Sequence, residues 1–167
     1  MGRQISLDEI KKVRLINDKP IRFLFFAEAA SNVICILLIY FYPSQFLAFF
    51  LKPENEITPL TTHIIQWWNS WVIVMTGLLF AAIPSKYNTP TLTAGLVHVR
   101  RFIYWGLLAS EVFLIFLLTT PKHRTNVSIG FSIFCLFVIT SRFIVLFPLK
   151  AWFGTILIEI PGEKKKQ

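Results

Sequence analysis

The chain has 167 residues, of which 54% are hydrophobic, 16% aromatic and only 16% charged, with a formal net charge of +8. A soluble domain of this length carries about a quarter charged residues, and disordered or collagen-like chains lack long apolar runs and 17 Phe. Those classes are excluded, and a small multispan membrane protein with one domain remains.

The first 20 residues are polar and basic, so no cleavable signal peptide precedes the apolar part. Ser6 and Glu9 have the spacing of a capping box, and Ile5 can pack on Ile10 as a hydrophobic staple. Ile10, Val13 and Ile16 continue an apolar side, while Lys11, Lys12 and Arg14 face water or headgroups. This pattern predicts a short amphipathic helix on the membrane surface, ended by Asn17-Asp18-Lys19-Pro20. Met1-Gly2-Arg3-Gln4-Ile5-Ser6 matches the outline of an N-myristoylation signal at Gly2, but Arg3 directly after the glycine fits that signal poorly.

Four apolar runs then have the roughly 20 residues that a helix needs to cross a bilayer: Phe23 to Tyr42, Ile64 to Ile83, Phe102 to Thr120 and Ile129 to Leu149. Backbone groups in lipid must be satisfied within the segment, so each run reads as a helix. The fold class is all-α, an integral-membrane four-helix bundle. Its parts are a cytosolic segment 1–20, the spanning domain 21–150 and a tail 151–167. Pro43 to Leu51, between the first two spans, is too short to cross and predicts an interfacial or partly re-entrant turn of helix. Trp67, Trp68 and Trp71 near one end, and Trp105 and Trp152 near the other, read as aromatic belts.

Orientation follows from Lys and Arg. With the N-terminus in the cytosol, that side holds Arg3, Lys11, Lys12, Arg14, Lys19, Arg22, Lys86, Arg100, Arg101, Lys150 and Lys164 to Lys166, or 13 of the 17 basic residues. The opposite side holds Lys52, Lys122 and Arg124, and Arg142 lies within a span. The positive-inside rule therefore places both termini in the cytosol. Lys164 and Lys165, at the fourth and third positions from the end, then resemble the dilysine signal of proteins retrieved to the endoplasmic reticulum, and a basic tail meeting anionic lipid is the alternative. The sequon Asn126-Val127-Ser128 touches the start of the fourth span, which puts it out of reach of glycosylation.

Three ionisable residues fall inside the spans, where each costs about 2.5–3.5 kcal/mol unless it is paired. Glu28 lies roughly 8 Å and Arg142 roughly 10 Å from the cytosolic boundary, so an ion pair between them is expected, with Arg101 as a competing partner for Glu28 and snorkelling as the alternative for Arg142. Glu111 lies nearer the midplane. Its expected neighbours are Asn32 and Thr76, either as a polar clamp between helices or as a ligand or catalytic group. Gln66, Asn69 and Thr76 form a stripe on the second span that marks its inward side. The pairs Ala27 and Ser31, Gly77 and Ala81, and Gly106 and Ser110 have the small-xxx-small spacing of close helix packing, here expected within the bundle.

Other chemistry finds no support. Cys35 and Cys135 sit in apolar runs, and His63 and His123 fall on the opposite side from His98, so no metal site is expected. No phosphate-binding loop, nucleophile elbow or dinucleotide fingerprint is present, and no cofactor is implied. The positive charge reads as topology, not as a nucleic-acid surface.

Asn32, Trp68-Asn69-Ser70-Trp71, and Ser110-Glu111 followed by Phe113-Leu114-Ile115-Phe116 resemble the small four-span scaffold family of sterol biosynthesis in the endoplasmic reticulum. Glu28 and Glu111 bear a more distant likeness to the EXPERA group of sterol isomerases and sterol-binding receptors. The first resemblance implies an accessory protein that meets membrane-bound lipid-metabolic enzymes and membrane lipids, with a lipid ligand near Asn32, Trp68, Asn69 and Glu111. The second implies an isomerase or cyclase in which Glu111, with Glu28, moves protons on a hydrophobic substrate. A small transporter or channel subunit is a third reading.

Overall fold

A computed structural model describes residues 12–51, 57–85, 89–119 and 125–159. In chain order these form strand β1 (Lys12–Ile16) and helices α1 (Lys19–Phe41), α2 (Pro43–Phe50), α3 (Pro59–Ala82), α4 (Pro90–Thr119) and α5 (Asn126–Leu146), followed by a 3-10 turn (Lys150–Phe153) and strand β2 (Thr155–Glu159). α1, α3, α4 and α5 are long and apolar enough to cross a membrane. The protein is thus a small multispan helical membrane protein.

Proline and threonine set the helix starts. Thr58 and Thr125 each accept a hydrogen bond from the backbone N–H three residues on, in reciprocal capping boxes with Thr61 and Ser128. Pro20, Pro43 and Pro59 occupy the first turns of α1, α2 and α3, where the missing N–H is not needed. Ser128 is 1% exposed and its hydroxyl donates to the Thr125 carbonyl, so the sequon serine is committed to the cap of α5. α2 supplies the short helix expected between the first two spans.

The spans pack as two antiparallel pairs, α1 with α3 and α4 with α5. Phe25, Ala29, Leu79, Ala82, Leu107 and Val145 contribute to one buried core. Hydroxyls within the spans return to their own helix: Thr76 donates to the Val72 carbonyl at 2.6 Å and Ser132 to the Ser128 carbonyl at 2.7 Å, so neither enters the core unsatisfied. Large apolar side chains such as Phe102, Phe116 and Phe137 point outward, as a lipid-facing surface requires. At one end α2 lies under the bundle. There the Phe50 ring meets Phe131 at 5.7 Å, and the Thr125 hydroxyl reaches the Phe50 carbonyl.

The other end differs from expectation. Val13 and Ile16 lie in β1, not on a helix; the capping residues Ser6 and Glu9 fall outside the described residues. β1 pairs antiparallel with β2, Val13 opposite Ile158 and Ile16 opposite Thr155. The β-branched residues of KVRLI and TILIE favour a pleated surface once each strand has the other, a partner about 140 residues away that local periodicity does not reveal. The segment expected as a tail from residue 151 is accordingly folded as far as Glu159. Both ends of the described chain lie side by side at one end of the bundle.

α4 starts at Pro90 rather than Phe102, because the Thr89 hydroxyl accepts from the Leu92 N–H and the helix extends beyond its apolar run. β1 rests on α4, with Leu15, Thr93, Leu96 and Val97 buried. Gly154 makes the corner into β2 with φ +113°, and a Cβ there would lie 3.3 Å from the Leu15 side chain.

Candidate functional site

Two charged nodes organise the interior. The first holds the terminal end together. Pro84 stops α3 and leaves its last carbonyls without helical donors. Arg100 supplies them: Nε donates to the Ala82 carbonyl at 2.9 Å, and Nη2 to those of Ile83 and Pro84 at 3.3 and 3.0 Å. Nη1 donates to the Phe153 carbonyl at 3.0 Å, and both terminal nitrogens reach Asp18 Oδ2 at 3.1 Å. Arg100 is fully buried. The planar guanidinium fork suits this role because it can serve divergent acceptors on three chain segments at once. Sequence reasoning counted Arg100 only as a topological charge. The signal that could have revealed it was a proline-terminated helix end followed closely by an arginine.

The second node lies within the spans. Arg142 on α5 donates from Nε to both carboxylate oxygens of Glu111 on α4 at 2.8 Å, and from Nη2 to Glu111 Oε1 at 2.7 Å. Nη2 also donates to Oε1 of Glu28 on α1 at 2.7 Å. The Arg142 guanidinium lies 4.8 Å from the centre of the Tyr104 ring, a favourable position for a cation over a π face. Tyr104 packs edge-on against Phe25 and Phe153, which links this triad to the Arg100 node.

The expected Glu28–Arg142 pair is present. Glu111, expected beside Asn32 and Thr76, is instead held by Arg142 on the neighbouring helix. The axial offset between Glu111 and Arg142 was about two residues, or about 3 Å, which is shorter than an extended arginine side chain. Arg101 does not compete for Glu28; it lies 5.7 Å from the Phe153 ring. Arg142 does not snorkel, since its side chain is 5% exposed.

The other candidate residues do not gather at the triad. Asn69 is buried and donates from Nδ2 to the Ile36 carbonyl at 3.1 Å, clamping α3 to α1, while its Oδ1 is buried without a donor. Asn32 is half-buried, and Trp68 is exposed on the outer side of α3. Thr76 is buried as expected, but Gln66 is exposed. The six residues of the small-residue pairs lie on outer faces, with nothing within 4 Å of a Cβ added at Gly77 or Gly106. Lys164 and Lys165 fall outside the described residues.

Chemically, the triad is two carboxylates around one guanidinium. Both Glu111 oxygens accept charge-assisted bonds from Arg142, which fixes this side chain between α4 and α5. No family model, curated protein or solved structure matches the chain.

Proposed function

We propose that this is a non-enzymatic accessory or scaffold protein of the endoplasmic reticulum membrane, which presents its lipid-facing surface and its cytosolic ends to enzymes of lipid or sterol-type metabolism. The observation that carries this reading is the triad: the ionisable residues of the spans are engaged with one another, and Glu111, the residue best placed by depth for acid–base work, has both oxygens bound by Arg142. A second support is the paired β1 and β2, which bring the two ends of the described residues to one side. That side carries most of the basic residues and so faces the cytosol under the positive-inside rule, where Lys164 and Lys165 serve as a retrieval signal.

The test is affinity purification of the intact protein in a mild detergent. Recovery of membrane-bound lipid-metabolic enzymes is expected, and recovery of the bare protein overturns the scaffold reading. An isomerase or cyclase working through Glu111 and Glu28 predicts instead that Glu111→Gln removes turnover of a hydrophobic substrate while expression stays normal. The scaffold reading predicts a change in bundle stability with no associated turnover.

A further inference from the structure

The inward faces of the four spans are buried unevenly. On the half nearer the terminal strands, Phe25 and Ala29 of α1, Leu79 of α3 and Val145 of α5 are 0–5% exposed, and Leu107 of α4 is 7% exposed. The same faces continue at helical spacing past the triad to Asn32 and Ile36 on α1, Val72 on α3, Leu114 and Leu118 on α4 and Val138 on α5, and all six are only half-buried. α1 pairs with α3 and α4 with α5, whereas α1 and α5 are not packed side by side, so the two pairs part here. Burial returns on α1 at Ile39, which is 3% exposed, next to α2. Between the pairs a crevice therefore runs from Glu28 at the triad to Ile39, roughly 17 Å at about 1.5 Å per residue.

Two polar side chains on this level lack partners. Asn69 is 4% exposed and its Oδ1 is buried with no donor, which costs about 1–3 kcal/mol if nothing supplies one. Asn32, one turn of α1 from the Ile36 carbonyl that Asn69 holds, makes no hydrogen bond among the described residues. Apart from these two amides the walls are aliphatic, which selects an occupant that is mainly hydrocarbon. The triad closes one end of the crevice and α2 the other, so an occupant enters sideways from lipid and takes its whole polar end inside. A charge taken there costs about 2.5–3.5 kcal/mol, so the polar end is neutral. Asn69 Oδ1 requires a hydrogen-bond donor. A lipid alcohol meets all of these conditions, and a phospholipid fails on its charged head.

We propose that the crevice between the two helix pairs binds one neutral lipid alcohol. Its hydroxyl donates to Asn69 Oδ1 and accepts from the Asn32 amide, and its hydrocarbon part lies against Ile36, Val72, Leu114 and Leu118. The site goes beyond the accessory reading and does not depend on it, because binding is a property of this chain alone.

The experiment uses the full-length protein in phosphatidylcholine vesicles, photolabelled with a hexadecanol that carries a mid-chain diazirine, with the labelled residues read by mass spectrometry. Labels should fall on Ile36, Val72, Leu114 and Leu118. Unlabelled hexadecanol should displace them, and its methyl ether, which cannot donate, should need about fivefold more for the same displacement. Asn69→Ala should make the two competitors equal. Leu114→Trp fills the crevice and spares both asparagines; it should abolish the inward labels and leave those on outward residues such as Phe116 and Phe137. Wild-type labels confined to outward residues, equal displacement by alcohol and ether, or a difference between them that survives Asn69→Ala overturns the proposal. Enzyme recovery in the purification test is a separate readout: recovery by a protein that shows no inward labelling leaves the scaffold standing and this site refuted.

Discussion

Arg100→Lys tests how the terminal end is built. The substitution keeps the positive charge and most of the aliphatic stem, so topology is unchanged. It replaces a fork that serves Asp18 and the carbonyls of Ala82, Ile83, Pro84 and Phe153 with an ammonium that has fewer protons than there are acceptors. The contacts to Ala82, Asp18 and Phe153 are buried, whereas those to Ile83 and Pro84 are partly open and can recruit water. Leaving one or two buried acceptors without donors costs about 2–4 kcal/mol. The loss should be local, because these bonds join α4 to the α3 terminus, Asp18 and the turn before β2. Hydrogen exchange in detergent micelles is the assay. Amides of Leu15, Ile16 and 155–157 should exchange at least tenfold faster, and those of α5 near Arg142 should keep their rates. Unchanged exchange in β1 and β2 would refute the reasoning that Arg100 holds the strands in place.

Gly154→Ala forces a residue with a Cβ into φ +113° and against Leu15, and should lower stability by about 1–2 kcal/mol, read as a shift in the midpoint of thermal unfolding in detergent. Asn69→Ala removes one interhelical bond together with an unpartnered carbonyl, so its cost should stay below about 1 kcal/mol in the same melt.

Much of the membrane part was legible in the sequence. Run length located the four spans, and similar depth identified the Glu28–Arg142 pair. The Glu111–Arg142 pair was not legible, because depth fixes where a Cα sits whereas a guanidinium reaches well past its own helix turn. β1 was read as helix because its hydrophobic spacing suits either state, and only the distant β2 decides between them. Arg100 looked like one more topological charge, since the carbonyls it serves belong to a helix end whose geometry no spacing rule describes. Small residues at Ala27, Gly77 and Gly106 suggested packing, but the sequence does not say which side of a helix faces its neighbours and which faces lipid.

The claim on which the rest depends is that Arg142 and Glu111 form a structural clamp between α5 and α4. A double-mutant cycle measures it: Arg142→Gln, Glu111→Gln and the double variant, each unfolded by SDS titration in mixed micelles. The bidentate geometry predicts that the two substitutions are coupled by about 2 kcal/mol, with the double variant losing much less than the sum of the singles. Single losses that simply add would contradict the clamp.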